Sequence, residues 1–593
     1  MKQLVLSGID LQEDQNHDLV YLGIWSATNY KNKNLEFQFI KGLIKEPWDD
    51  RKKLFKDHQT LIDLHDKVLK KISSRLNDLH HVNYSERYWK TLLNPWLTSY
   101  LTVIFDRWER ISLAFNIENF YIVRNLSAKF EIQRPFYAGH EYYSLIQSDI
   151  WNHLIFTDII KYRYSNRVTF LELSEEALVK NNKITNGIKE KSPLKSIGIL
   201  VKKIATVLGS TYTSIKLLLG YVPKVHLELS NTNNWVKLKL SVALRQDPFF
   251  KIKISENISF KKKENQELKK NLFKMGLDEN DLEGYLNINL ARDLPDEFLS
   301  GFSFLHDYAK DLPVPRLIVS DNRHWYDSQF KHWVAISHER GSKIFCCQHG
   351  GSLTQGSLFA MNFEESISDS FAIWSLPCHA KHRQLPPLKY VNKAKVKINR
   401  SGRLSIIGYD APRYIFRCQV NANSGQAFIH FSQVVQLYQA LNYKPKCSFY
   451  IRPYPNLGWN LPKIFCDYVG EERVDLSNSY ENFLTKSRLV VCTYPETTFS
   501  DCVAKNIPVI LMYPNKFWEL ESKMNSLLEI LVNAKIVFHN PVDAAKHINQ
   551  IWSDPSSWWK SKPVCHAINT YKSMALNLDK NWLKEWTAYL NSA

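Results

Sequence analysis

Three short segments combine residue types whose order suits chemistry on a phosphorylated substrate. The first is Gln348-His349-Gly350-Gly351. Paired glycines let a backbone approach a ligand closely and turn amides toward an anion, and His349 is placed to accept a proton or donate to a phosphate. The second is Tyr450-Ile451-Arg452-Pro453-Tyr454-Pro455. Its two prolines hold the chain extended and aim the Arg452 guanidinium, a group suited to bidentate phosphate or carboxylate contacts. The third runs from Thr493 to Asp501. Thr497 and Thr498 fall at an expected helix start, where unpaired amides and the helix dipole attract a phosphate, while Asp501 or Glu496 could accept from a ribose hydroxyl. Each segment also has a plainer reading: a tight turn with a structural histidine, a surface arginine beside a rigid loop, and a threonine cap with an acid complementing the dipole.

The elements around these segments make them worth attention. Arg316–Ser320 reads as a buried strand, Tyr326–Glu339 as a helix and Lys343–Cys347 as the next strand, closing a βαβ unit. A second series places strands at Leu404–Gly408, Cys447–Ile451, Leu489–Thr493, Val509–Met512 and Ile536–Phe538. Helices separate them over Gln426–Leu441, Leu461–Tyr468, Tyr480–Thr485, Thr498–Lys505 and Phe517–Leu531. Strand, helix and strand with short connections imply parallel sheets covered on both faces. Ligands of such sheets sit beyond the carboxyl ends of the strands, where all three segments fall. The expected fold class is therefore α/β, with two Rossmann-like domains facing across a cleft and extra helices in the N-terminal half.

Those helices show in the stripe Leu54, Leu61, Ile62, His65, Leu69, Ile72, Leu76 and Leu79, and in an aromatic-rich stretch from Ser85 to Trp108 where Pro95 predicts a kink or break. Residues 180–224 read as an inserted helical hairpin or an amphipathic surface anchor. The domain boundaries expected are 1–395, 396–575, and 576–593 as a closing helix that crosses back to the N-terminal domain.

The 593 residues include 77 Lys+Arg and 59 Asp+Glu, a formal charge of +18, and their 44% hydrophobic share excludes a disordered polymer. Such a charge suits nucleic acid, an anionic membrane face or phosphorylated substrates. The basic runs Lys261-Lys262-Lys263 and Lys269-Lys270 are interleaved with Glu264 and Glu267, and no nucleic-acid-binding motif occurs, so nucleic acid is not expected as a partner. No export signal or spanning segment is visible, and the nine cysteines show neither metal-finger nor disulfide spacing, which suggests a reducing cytoplasm. Cys346-Cys347 reads as strand packing. No DxD motif is present, so helix dipole and basic side chains, rather than a chelated metal, would meet a leaving phosphate.

The ordered set Tyr21-Leu22-Gly23-Ile24-Trp25, Tyr84-Ser85-Glu86-Arg87-Tyr88-Trp89, Pro95-Trp96, Asp106-Arg107, Phe330-Lys331-His332-Trp333, Gln348-His349-Gly350-Gly351, Arg452, Gly458-Trp459, Thr497-Thr498, Asn506-Ile507-Pro508, Ile551-Trp552-Ser553-Asp554 and Trp558-Trp559 resembles the leptospiral-type surface-carbohydrate transferases, a family associated with O-antigen and related glycan loci. Two positions depart from the family: Ser352-Leu353-Thr354-Gln355-Gly356 replaces a Tyr-Gly pair, and Asp501 stands where glutamate is usual. More distantly, the order His-Gly, Arg-Pro and Thr at a helix start is similar to GT-B enzymes that use CMP-activated ulosonic acids, such as Kdo or a related nonulosonic acid, or CDP-polyols.

The resemblance implies a metal-independent GT-B-like glycosyltransferase without a cofactor, its nucleotide-sugar being a substrate. The C-terminal domain would hold the donor and the N-terminal domain a glycan or lipid-linked glycan acceptor, in the cytoplasm with at most peripheral contact to an anionic inner membrane face. Expected donor contacts are Gly350, Gly351, Arg452, Tyr454, Glu496, Thr497, Thr498 and Asp501; His349 is the base or phosphate donor, with Glu339 and Asp321 as carboxylates flanking the preceding helix and strand. Arg323 and Lys331 are acceptor-side candidates. The competing class is a non-catalytic GT-B-shaped scaffold or membrane-surface binding protein. Sugar, acceptor, stereochemistry and oligomeric state stay undecided.

Overall fold

The computed structural model describes residues 2–12, 18–27, 41–126, 138–173, 211–230, 232–250, 252, 254, 281–351, 363–391, 399, 401–477, 479–578 and 581–592. Most of the expected 180–224 hairpin and the whole Lys261–Lys270 run lie outside the described residues.

Two long helices follow from local signals. The Asp50 carboxylate accepts from the backbone N–H groups of Lys52 and Lys53 and starts the helix Arg51–His80, whose stripe of Leu54, Leu61, Val68, Leu69, Ile72 and Leu76 is buried. His81, left-handed at φ 53°, ends it. Ser85 caps the helix Glu86–Ile117 through the Tyr88 N–H. That helix runs on through Pro95, where a kink or break was expected. Every residue from Leu92 to Phe105 is buried, and packing on all sides outweighs the ~3 kcal/mol that an internal proline costs.

Three parallel sheets carry the molecule. β1 (Lys2–Val5), β2 (Leu19–Tyr21), β3 (Tyr121–Asn125) and β4 (Val168–Glu172) form the first, in the order β2-β1-β3-β4, with the two long helices between β2 and β3. β5 (Val225–Glu228), β6 (Leu317–Ser320), β7 (Lys343–Cys347), β8 (Ser370–Ile373) and β9 (His382–Gln384) lie side by side in chain order in the second. β10 (Arg403–Ile407), β11 (Phe449–Arg452), β12 (Ser487–Cys492), β13 (Val509–Met512) and β14 (Val537–Phe538) make the third, in the order β11-β10-β12-β13-β14. β6 and β13 are buried at every residue, as strands covered on both faces must be. In the third sheet the order turns back at β10, which opens a crevice between the carboxyl ends of β10 and β12.

Residues 1–395 thus hold two sheets where a single Rossmann-like one was expected. The missed strands of the first sheet run over three to five residues, and β4 buries none of its own, so no continuous apolar run marks it. The expected Phe517–Leu531 helix is shorter, Asn525–Asn533, preceded by two single 3-10 turns. Cys346 and Cys347 end β7 inside the core, their thiols pushed up by burial.

A buried charge cluster joins the first sheet to the third. Arg107 and Arg110 are fully buried; Arg107 Nη1 lies 2.6 Å and Arg110 Nε 2.9 Å from the Asp106 carboxylate, and Arg110 also pairs with Glu46. Arg107 Nη1 donates to the Ile415 carbonyl at 2.7 Å, and Arg413 reaches Asp149 at 3.0 Å. Both contacts hold the 408–424 loop that leaves β10. The chain closes with the helix Trp582–Asn591 on the second sheet: the Trp586 indole N–H donates to the Pro386 carbonyl at 2.8 Å, the Tyr589 hydroxyl to Ser370 at 2.9 Å, and the Tyr589 ring lies 4.8 Å from that of Phe345.

Candidate active site

The carboxyl ends of β7 and β12 meet. After β7, the Gln348 side chain accepts from the Trp374 N–H at 2.9 Å and donates to the Gly350 carbonyl at 3.0 Å, clamping the turn. Gly351, at φ +66°, donates its N–H to Thr497 Oγ1 at 2.7 Å. A Cβ on Gly350 would stand 3.0 Å from the same oxygen, so the turn approaches the helix as closely as it does because position 350 has no side chain. Thr497 opens the helix Thr497–Ala504, whose first turn receives no side-chain cap from Glu496, and its hydroxyl meets the Gly351 N–H at the junction of the two sheets.

Beside this contact, at the switch point of the third sheet, is a cavity of about 500 Å³. Tyr409, Tyr414, Phe416, Tyr454, Tyr494 and Trp518 give it an aromatic lining. The Trp518 indole donates to His430 Nε2 at 3.2 Å, and His430 in turn bonds the Thr493 carbonyl at 2.7 Å, so the lining is fixed from beneath. Asp410, Glu496, Thr497 and Arg417 supply its charged and hydroxyl groups. Burial pushes the Asp410 carboxyl up to about 7 although the Ala411 and Leu457 N–H groups bond it. Arg417 stacks on Phe416 and Trp325, its carbon centre 4.9 Å and 5.1 Å from the ring centroids, and among the described residues it forms no ion pair. Its Nε, Gln419 Oε1 and Asn421 Oδ1 are shielded from solvent with no hydrogen-bond partner among the described residues, so the wall formed by 417–421 presents unspent polar atoms.

His349 stands across the Gly350–Thr497 contact. Burial holds its imidazole below the ordinary value, with Arg417 and Lys389 acting the same way against Asp321. The ring is therefore neutral near pH 7 and able to take a proton. Its Nδ1 has no hydrogen bond among the described residues and lies 3.7 Å from Glu364 Oε1, beyond bonding distance but within reach of a small rotation. Trp325 Nε1 donates to the same Glu364 oxygen at 2.7 Å. Burial pushes Glu364 up to about 8 from an ordinary 4.5.

That shift sets a sign. Between about 4.5 and 8 the folded chain holds a proton on Glu364 that the unfolded chain releases, so this group's contribution to stability falls as pH rises across the window. Glu364→Gln is expected to flatten that fall, measured as melting temperature against pH; a slope identical to wild type would remove the buried proton.

The family model of the LIC12162 transferases matches residues 2–590. The chain belongs to the LIC12162 transferase family. No curated protein matches the sequence. Among solved structures, the spinosyn rhamnosyltransferase SpnG complexed with spinosyn aglycone aligns with 62% of this chain and 100% of its own at 11% identity and a TM-score of 0.28, a likeness too loose to carry fold or function.

Within this LIC12162 family transferase the expected residues separate into two groups. Gly350, Gly351, His349, Thr497, Glu496 and Tyr454 gather at the cavity and its rim, and Thr498 follows Thr497 in the same helical turn. Asp321 stands on the His349 side: its backbone hydrogen-bonds the imidazole, both residues line a void of about 30 Å³, and its carboxylate accepts from the Ser230 hydroxyl at 2.6 Å and the Asn322 N–H at 2.7 Å.

The others lie elsewhere. Arg452 turns to the Ser477 carbonyl at 2.6 Å, with Asp475 at 3.6 Å, and does not line the cavity. Asp501 accepts from the Tyr390 hydroxyl at 2.7 Å and pairs with Lys389 at 3.1 Å, strapping the 388–390 turn to the third sheet. Arg323 is buried between Asp327 and Glu228, at 2.8 Å and 3.0 Å, and Lys331 is buried 3.4 Å from Glu297. Glu339 is exposed at the far end of the helix Ser328–Glu339, bonded by the Ser85 hydroxyl.

Sequence reasoning missed Asp410, Arg417 and Glu364. The first two follow β10 within ten residues, so the rule that selected the other post-strand segments also covers them. Glu364 has no such signal, because only the folded chain brings Phe363–Ile367 to His349. The family's N-terminal landmarks serve packing: Trp25, Tyr88, Trp89, Trp96 and Arg107 are fully buried.

Proposed function

We propose that this transferase is a glycosyltransferase of GT-B arrangement, holding a nucleotide-activated sugar on the β10–β14 sheet and the acceptor on the β5–β9 side. The observation that carries the reading is the Gly351–Thr497 contact, which puts a neutral histidine from one sheet beside a helix start and a cavity from the other. In the step proposed, the acceptor hydroxyl oxygen attacks the anomeric carbon while His349 takes the hydroxyl proton. The bond from that carbon to the phosphate oxygen breaks, and the nucleotide leaves with the electron pair. Arg417 and the first amides of Thr497–Ala504 meet the charge that develops, so the step uses this chain's own groups.

The donor class we propose is a CMP-activated ulosonic acid, the acceptor a surface-glycan precursor, and the setting the cytoplasm. In support, among the described residues lining the cavity Arg417 is the single cationic side chain, which suits a donor with one phosphate better than a diphosphate. Glu496, on the cavity wall, is the group we assign to the ribose hydroxyls.

A thermal-shift panel of CMP, CDP, UDP and GDP tests this. A ligand that binds only the folded chain adds about 2.7 kcal/mol at a hundredfold excess over Kd. CMP is expected to raise the melting temperature, Arg417→Ala to weaken its binding by ~10²-fold, and Arg452→Ala to leave most of the shift. Silence from all four nucleotides would remove the donor site; a response to UDP or GDP alone would remove the CMP class. Mass spectrometry of nucleotide released from CMP-, UDP- and GDP-sugars separates an enzyme from a scaffold.

A further inference from the structure

We propose that the surface built by residues 211–250 is a docking face for an anionic lipid bilayer. The helix over 211–218 sets Tyr212, Ile215, Leu218 and Leu219 on one side at spacings of three and four, with Leu218 88% and Leu219 76% exposed. Its other side is occupied, Thr213 being buried and Leu217 packing on the core, while Lys216, one turn from Tyr212, lies 5.6 Å from that ring and pairs with Asp247 at 3.2 Å. Asp247 draws Phe249 to the same place, accepting from the Tyr212 hydroxyl and, at 2.9 Å, from the Phe249 N–H; the Phe249 ring is 69% exposed. The helix Asn234–Ala243 buries Val236 and Leu240 and turns Trp235 and Val242 outward on one face, with Lys239 between them.

Single exposed apolar residues need no explanation, but a group confined to one local unit marks an interaction site. Charge selects the occupant. This stretch contains Lys216, Lys224, Lys237, Lys239 and Arg245 against Glu228 and Asp247, and both acids are already paired, with Arg323 and Lys216. Two copies of such a face would set like charges against each other. A phospholipid surface satisfies both components: apolar side chains and Trp235 enter the headgroup boundary while lysines meet phosphate. Among the described residues no helix is long and apolar enough to cross a membrane, so contact here would be from one side.

Sedimentation of the full chain with vesicles tests it, using phosphatidylcholine alone and phosphatidylcholine containing phosphatidylglycerol. The chain is expected to sediment with the anionic vesicles at least about tenfold better than with the neutral ones, and less as salt rises. The double variant Leu218→Ser/Leu219→Ser should lose that binding while its melting temperature and nucleotide response stay as in wild type. If that variant does not fold, Lys224→Glu/Arg245→Glu serves instead and should lose binding equally. Failure to bind anionic vesicles, equal binding to neutral ones, or unchanged binding by a folded variant overturns the proposal. So does a dimer, seen by size-exclusion chromatography, that the same substitutions dissolve.

Discussion

His349→Ala is expected to lower kcat for sugar transfer by ~10²–10⁴-fold, the range general-base groups contribute, while the nucleotide-induced rise in melting temperature persists. Persistence follows from position: His349 follows β7 of the β5–β9 sheet and does not line the cavity at the switch point of the third sheet. Near wild-type turnover in the variant would take His349 out of proton transfer, and loss of the nucleotide response would place it among the donor contacts. Glu364 is a positioning residue in this scheme. An imidazolium beside it would draw the carboxyl toward its charged form, and a charged carboxylate would hold the imidazolium. Glu364→Gln should accordingly move the limb of the kcat/KM pH profile that His349→Ala abolishes. A carboxylate that merely packs would leave that limb in place.

Asp106→Ala should cost about 3–5 kcal/mol, because it removes the carboxylate that faces two fully buried guanidinium groups. Among the described residues Glu46 bonds Arg110 but not Arg107, which would keep as hydrogen-bond acceptors the amide oxygen of Asn152, at 2.8 Å, and the Ile415 carbonyl. The urea midpoint reads the loss. The substitution should also shrink the nucleotide response, since the same guanidinium anchors the loop that carries Arg417. A variant with an unchanged midpoint would show that Glu46 suffices for Arg110 and neutral acceptors for Arg107.

What the sequence disclosed depended on how local its causes were. β7 and β13 stand as expected, and β6, β10 and β12 are displaced by a residue or two, because buried parallel strands are short continuous apolar runs between turns. The glycine turn and the threonine helix start were legible for the same reason. Their mutual contact was not: nothing local links Gly351 to Thr497, which are far apart in the chain. Arg452 illustrates the opposite error. Its strand end and flanking prolines suggested a rigid projection toward the cleft, yet the nearby Asp475 and the Ser477 carbonyl claim the guanidinium. Arg417, in an irregular loop without periodicity, lines the cavity instead with a guanidinium that forms no ion pair among the described residues, held by the aromatic faces of Phe416 and Trp325.

The helix Trp582–Asn591 has a consequence for how the chain is made. During synthesis β5–β9 emerge long before this helix, so the side of the sheet carrying Phe345 is only partly covered, by Val236, Leu240 and Leu388, until Trp586 and Tyr589 arrive. The third sheet, whose own covering helices lie mostly between its strands, can settle earlier. The order of maturation then differs from the order of translation: the half built on the third sheet is ready first, and the half bearing His349 is sealed by residues made after both.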